Sequence, residues 1–330
     1  MGRRVLLTGG TGFVGANLVR RLLADGHRVH LLVQPRFTGW RLHGIRSRVR
    51  LHPVALDDPE LDAVVRRIRP EWVFHLAAHG AYSRQTDVER MVATNVAGTM
   101  HLVRACLRAG FAAFVNTGSS SEYGVKPHAP REREWLDPNS YYAVTKASAT
   151  LFCRYTAQRE RVHMPTLRLY SVYGPWEDPG RLVPTLVLHG FEGRLPPLAA
   201  PDVARDYVYT DDVSEAFVRA ATVAGQEPGA VYNVGSGVQT TLRDIVAIAR
   251  RVMGIAAEPV WGSMPNRQWD TSVWVADHTA IRVALGWAPS CDVAEGLRRM
   301  VEWMRSRGAP VRRYREHAAA SAPPRSAGAT

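Results

Sequence analysis

Residues 3–33, RRVLLTGGTGFVGANLVRRLLADGHRVHLLV, place Gly9, Gly12 and Gly15 in a GxxGxxG spacing between two apolar runs. Val5–Leu7 reads as a short buried strand, Phe13 to Ala24 as a helix and Val29–Val33 as a second strand. A strand, a glycine turn, a helix and a strand in that order form a βαβ unit, which commits the two strands to parallel pairing. Glycine permits the tight turn and lets backbone N–H groups approach an anion at the helix N-terminus, where the dipole favours negative charge. The turn, Gly9 with Thr11, Gly12, Phe13, Val14 and Gly15, is therefore a candidate pyrophosphate cradle for a dinucleotide.

Strand-like runs recur at about 49–55, 72–78, 111–119 and 164–172, with helical patterns between them. Such alternation predicts an α/β fold, a doubly wound parallel sheet of Rossmann type. A chain of 330 residues exceeds what one core accommodates, so a second lobe is expected. After Tyr173 the chain turns to Pro- and Gly-punctuated segments with helices near 212–224, 241–253 and 292–306. The expected division is a dinucleotide-binding domain at 1–172, a smaller C-terminal substrate lobe at 173–310 and a mobile tail at 311–330. A segment near 205–237, ending in the strand-like AVYNVGSG, is expected to return to the main sheet.

The net charge of +12 comes almost wholly from arginine, since only two of the 42 basic side chains are lysines, Lys126 and Lys146. No finger spacing, RNP-type motif or long basic helix accompanies the charge, so neither a nucleic acid nor a membrane is an expected partner. Cys106, Cys153 and Cys291 are odd in number and far apart, which fits a reducing, cytoplasmic setting. His75 and His79 lie four apart at a strand end and read as packing or lining groups rather than metal ligands.

The end of the second strand selects the dinucleotide. An acid there holds the ribose 2′-hydroxyl of NAD, whereas its loss together with arginine suits the 2′-phosphate of NADP. The sequence reads Val33, Gln34, Pro35, Arg36, with Arg41 further on, so NADP(H) is the expected cofactor and NAD(H) the alternative.

In NSYYAVTKAS, Tyr142 and Lys146 are spaced i, i+4, which puts them on one face of a helix. A neighbouring ammonium favours the phenolate, so the pair is expected to lower the tyrosine pKa and make a usable acid/base. Upstream, NTGSSSEYG ends a predicted central strand, and a hydroxyl there could bond the substrate oxygen beside Tyr142.

GGTGFVG, HLAA at 75–78, SSSEYG at 119–124, YAVTK at 142–146, YGP at 173–175 and RDYVYTDDV at 205–213 together resemble an extended short-chain dehydrogenase/reductase of the nucleotide-sugar epimerase, dehydratase and ketoreductase group. The resemblance spans roughly residues 3–306. It implies Ser119, Tyr142 and Lys146 as the catalytic triad, with Asn95 as a helper behind Lys146. It further implies cofactor contacts at Leu76, Ala77, Ala78, Tyr170 and Val172, and an adenine contact at Asp57. Sugar or diphosphate contacts are implied at His79, Ser120, Ser121, Ser171, Arg205 and Arg267, both arginines appearing in the sequence without an acid to hold them. Family dehydratases carry carboxyl groups one and two positions after the catalytic hydroxyl residue. Ser120 and Ser121 stand there, and Glu122, one step on, is expected to face away along an extended segment. The expected reaction is NADPH-dependent reduction of a nucleotide-linked 4-keto(-6-deoxy)hexose, with an NAD-dependent 4-epimerase as the alternative and an NADP-sensing protein as a third reading. Members of the group often pair through helices, here about 86–108 and 141–160, so a homodimer is expected.

Overall fold

The computed structural model describes residues 2–82, 84–266, 270–306, 308, 312–314 and 316. Its strands are β1 (Arg4–Thr8), β2 (Arg28–Val33), β3 (Arg50–Pro53), β4 (Trp72–His75), β5 (Ala113–Ser119), β6 (Thr166–Leu169), β7 (Ser171–Tyr173), β8 (Ala204–Tyr209), β9 (Val231–Val234) and β10 (Gln239–Thr241). Its helices are α1 (Phe13–Ala24), α2 (Leu61–Ile68), α3 (Val88–Met91), α4 (Gly98–Ala109), α5 (Tyr141–Glu160), α6 (Leu182–Gly190), α7 (Thr210–Thr222), α8 (Leu242–Met253), α9 (Thr279–Leu285) and α10 (Val293–Ser306).

Seven strands form a parallel sheet in the order β3-β2-β1-β4-β5-β6-β9. The order reverses between β1 and β4, which opens a crevice at the carboxyl ends of those two strands. Successive side chains point to opposite faces, so Leu7, Phe74 and Val115 join one core while their neighbours Leu6, Val73 and Phe114 join the other. The first core is covered by α1 and α7 through Leu18, Leu22 and Phe217. The second is covered by α2, α4 and α5 through Val65, Leu102 and Cys153.

A second sheet, β10-β8-β7, carries a third core with Leu186 of α6, Ile245 of α8 and Leu297 of α10. The run at 164–172, read from the sequence as one strand, divides at Tyr170: β6 stays in the main sheet and β7 pairs with β8 in the small one. While β8 stays in the small sheet, strand β9 and helix α7 return to the main layer. So do Ile281, Leu285 and Trp287, which the sequence reading assigned to the smaller lobe; the Trp287 indole fixes them there by donating to the Asp212 carbonyl (2.9 Å). The tail also departs from expectation at Tyr314, which is fully buried against Trp40 and Trp303 and donates to the Glu177 carbonyl (2.6 Å). A single aromatic residue among polar and small ones gives no periodic signal. Among the described residues no helix is long and apolar enough to cross a membrane.

Candidate active site

The glycine turn between β1 and α1 is built for close approach. Gly9 has φ +72°, and a Cβ on it would lie 2.5 Å from the Leu76 carbonyl carbon, so the loop after β4 packs directly on the turn. A Cβ on Gly15 would lie 2.2 Å from the Gly9 carbonyl oxygen. Helix α1 begins after Gly12 with neither a side-chain cap nor an acidic residue in its first turn, so its N-terminal N–H groups face the turn without a competing anion. These features fit a dinucleotide pyrophosphate. Leu76 and Ala77 are tied to the turn by their own N–H groups, which donate to Thr8 O (3.2 Å) and Thr8 Oγ1 (3.2 Å), with Ala78 next in the chain.

Thr8 and Leu32 are paired across β1 and β2, so Gln34, Pro35 and Arg36 emerge beside the turn. Arg36 is exposed and has no ion pair among the described residues. Arg41 does not join it. Its guanidinium is buried, donates to the Trp176 carbonyl (2.7 Å) and lies over the Trp40 ring, 3.9 Å from Asp178, so it cements the small lobe instead of awaiting a phosphate. Asp57 is exposed in the loop after β3.

Strand β5 delivers Ser119 at its carboxyl end, and α5 presents Tyr142 in its first turn and Lys146 one turn later. Tyr142 lies within hydrogen-bond reach of Ser119. Burial pushes the phenol up to about 12, and the Ser119 contact only partly opposes this. Desolvation thus governs the group, and Tyr142 is held as the neutral, proton-donating phenol, contrary to the lowering expected from Lys146. Lys146 is buried, which lowers its pKa, while the nearby Glu122 acts the other way.

Asn95 sits in a π-helical stretch, Val92–Ala97, between α3 and α4. Its amide accepts from His79 N (2.8 Å) and donates to His79 O (2.8 Å) and Thr145 Oγ1 (2.9 Å). It therefore clamps the loop after β4 to the helix that carries Tyr142 and Lys146. His75 completes the brace. Thr8 Oγ1 accepts from Ala77 N, which directs its own proton to His75 Nδ1 (2.7 Å), and His75 Nε2 faces Thr99 Oγ1 (2.8 Å), which donates to the Asn95 carbonyl (2.7 Å). Both imidazole nitrogens are thereby satisfied in the neutral ring, whose pKa burial lowers to about 3.

On the other side of Tyr142, Ser171 pairs with Tyr207 across β7 and β8, and Val172 with Val208. Arg205 is not unpartnered: its guanidinium donates to Asp270 (2.6 Å) and to the Ala204 carbonyl (2.7 Å), with Trp274 beneath it. Asp270 lies 65 residues further on, beyond the reach of local pattern reading. Arg267 lies outside the described residues. Two residues the sequence reading did not select, Tyr82 and Arg181, are close enough to influence the charge on Tyr142, and Arg181 stacks over Tyr82. The only signal for Arg181 in the sequence is its place shortly after the YGP motif. Asp206, also passed over, is completely buried and accepts from Ser236 N (2.6 Å), Ser236 Oγ (2.7 Å), Gly237 N (2.9 Å) and Ala276 N (2.9 Å), fixing the turn after β9.

A family model described as NAD dependent epimerase/dehydratase family matches residues 5–235. The chain belongs to the NAD dependent epimerase/dehydratase family. It is 33% identical to the UDP-glucose 4-epimerase of Mycolicibacterium smegmatis over 92% of this chain and 99% of that one. It is 30% identical to a dTDP-glucose 4,6-dehydratase of Streptomyces griseus, over 92% and 94% of the two chains. The structure of the Thermus thermophilus UDP-glucose 4-epimerase in complex with NAD superposes with a TM-score of 0.81 at 30% identity, covering 92% of this chain and 99% of that one. The protein is an enzyme of the short-chain dehydrogenase/reductase type.

Within this epimerase/dehydratase enzyme the serine run after β5 takes an unexpected form. Ser119 caps a 3₁₀ turn, Ser120–Tyr123, in a reciprocal capping box with Glu122. The segment is therefore not extended, and Glu122 turns inward. Its carboxylate accepts from Ser119 N (2.8 Å), Thr150 Oγ1 (2.9 Å) and Arg168 Nε (2.8 Å), with both Glu122 and Arg168 buried. So engaged, Glu122 braces the backbone of Ser119. Ser120 is buried, while Ser121 Oγ lies 2.7 Å from Ser119 Oγ.

Proposed function

We propose that the enzyme reduces the C4 carbonyl of a nucleotide-linked 4-keto hexose, 6-deoxy sugars included, using NADPH. The end of β2 carries this reading: Gln34, Pro35 and an exposed Arg36 emerge beside the glycine turn with no carboxylate to repel a 2′-phosphate. The neutral Tyr142 phenol supports it, because reduction requires a proton donor at the developing alkoxide.

Bound NADPH would supply hydride to C4. Tyr142 donates its proton to the C4 oxygen, Ser119 orients that oxygen, and Lys146 steadies the cofactor ribose beside Tyr142. Asn95 keeps the loop carrying His79 against α5. Ser120, Ser121, Ser171, Arg205 and Arg267 serve the sugar and diphosphate, with Tyr82 and Arg181 added from their closeness to Tyr142. A second reading, a 4-epimerase that retains NAD, is favoured by the near full-length similarity to the Mycolicibacterium epimerase.

The two are separated by stripping the purified protein of nucleotide and titrating NADPH and NADH by fluorescence. Tighter NADPH binding that weakens about tenfold or more in Arg36→Ala supports reduction, whereas stoichiometric, slowly exchanging NAD overturns it. Tyr142→Phe should abolish turnover of a 4-keto sugar nucleotide and leave NADPH affinity intact; retained turnover removes Tyr142 from the mechanism.

We also propose that two copies pair through α5. Tyr141, Val144, Leu151 and Tyr155 form an exposed stripe on one face of that helix, and Val92 is exposed on the π-helical stretch nearby.

A further inference from the structure

The second lysine, Lys126, has no part in the reaction above. It lines a small cleft with Ser120, Tyr170 and Trp274, directly behind the serine that follows Ser119. The Tyr170 side chain is only 7% exposed, its ring packs edge-on to Trp274, and its hydroxyl is buried without a hydrogen-bond partner. Burial raises the Tyr170 pKa, so the hydroxyl remains a donor. Lys126 has no ion pair among the described residues, whereas His128, at the same cleft, is engaged with Glu134 (2.8 Å). Tyr170, with its buried and unpartnered hydroxyl, and the half-buried Lys126 thus border a space sized for about one water-sized group, and a buried donor requires an acceptor.

We infer that Tyr170 and Lys126 form a subsite for an oxygen-bearing substituent on a ring carbon flanking C4, and that this subsite selects the sugar. The inference rests on the reading that Ser119 and Tyr142 hold the C4 oxygen. From there the neighbouring Ser120 is reached by substituents on C3 or C5. The cleft takes one oxygen-sized group, the hydroxyl oxygen or one carboxylate oxygen of such a substituent. It also gives the resemblance-implied cofactor residue Tyr170 a hydroxyl directed at substrate.

The test is calorimetric titration of the full-length, NADP-loaded protein with UDP-glucose, UDP-3-deoxyglucose, UDP-xylose, which lacks the C6 group, and UDP-glucuronic acid, and with the corresponding dTDP, CDP and GDP sugars. Wild type should prefer one oxygenated sugar over its deoxygenated counterpart by about tenfold or more. Tyr170→Phe and Lys126→Met should each reduce that preference to about twofold or less, Lys126→Met most strongly if the reader is for a carboxylate. A preference unchanged in both variants overturns the subsite and leaves the nucleotide-sugar reading standing. Failure of wild type to bind any sugar nucleotide overturns both. Independently of substrate, Tyr170→Phe should leave the thermal midpoint of the ligand-free protein unchanged or raised, because the hydroxyl lacks a protein partner; a fall of several degrees would show that it serves the fold and would overturn the inference.

Discussion

Glu122→Gln is the sharpest probe of how Ser119 is held. The substitution keeps the shape of the side chain and could still offer one oxygen to Ser119 N and Thr150 Oγ1, which now donate to Oε1 at 2.8 and 2.9 Å. Its amide nitrogen would then face Arg168 Nε, a donor that sits 2.8 Å from Oε2, so a hydrogen bond becomes a clash of two donors. Arg168 would retain the Tyr123 hydroxyl (2.8 Å) and the Glu132 carbonyl (3.1 Å) but would lose the one buried carboxylate paired with it among the described residues. Breaking a buried pair from one side costs about 3–5 kcal/mol. At roughly 2 °C per kcal/mol for a chain of this size, the thermal midpoint should fall by about 6–10 °C. Glu122→Leu combined with Arg168→Met removes both charges and should recover most of the loss, since apolar replacement of such a pair is often neutral. Differential scanning calorimetry of wild type, both single variants and the double variant closes the cycle. A Glu122→Gln midpoint within about 1 °C of wild type would refute the argument that this ion pair is buried and coupled.

Gly15→Ala forces a methyl group to within 2.2 Å of the Gly9 carbonyl oxygen, so dinucleotide affinity measured by fluorescence should drop by about tenfold or more; an unaltered affinity would place the cofactor elsewhere. His30 stacks on His52 among Arg4, Arg28 and Arg50, with its pKa lowered to about 4 by burial and then by these charges. The unfolded imidazole takes up a proton near 6.5 and the folded one only near 4, so this contribution is complete above about pH 6.5 and lost as pH falls toward 4. His30→Leu should flatten the urea midpoint across that window, and an unchanged slope would show that His30 does not titrate there. Leu151→Glu with Tyr155→Glu should convert a dimer to a monomer in light scattering; a persisting dimer would move the interface off α5.

What the sequence made legible was local. Helix α1 runs from Phe13 to Ala24 as its apolar period predicts; β4, β5 and β9 fall within the apolar runs that announced them, while β1 runs one residue past its run at each end and β2 begins one residue earlier. The glycine turn and the Tyr142–Lys146 spacing are likewise readable because their parts are contiguous or one helical turn apart. Long-range choices are another matter. Arg41 and Arg36 look equivalent in the sequence, yet one is buried against Trp176 and the other exposed. Arg168 and Glu122 are separated by 46 residues and Arg205 and Asp270 by 65, and only adjacency in the folded sheets pairs them. The tyrosine pKa departs from expectation for a related reason: the i, i+4 neighbour is visible in the sequence, whereas the burial that raises the phenol comes from the whole fold.

The division at Tyr170 makes that residue a mechanical joint. Leu169 belongs to the sheet that carries the cofactor edge, Ser171 to the sheet of the small lobe, and a single residue connects them. The chain crosses between the two layers again from β8 to α7, from β9 to β10, from α8 to α9 and from α9 to α10, and the Asp206 carboxylate ties β8 to the turn after β9. Repeated crossings of this kind oppose free opening of one layer from the other. Because Tyr170 is shared by both sheets, a displacement of the small sheet would be felt at Ser120, which lines the same cleft.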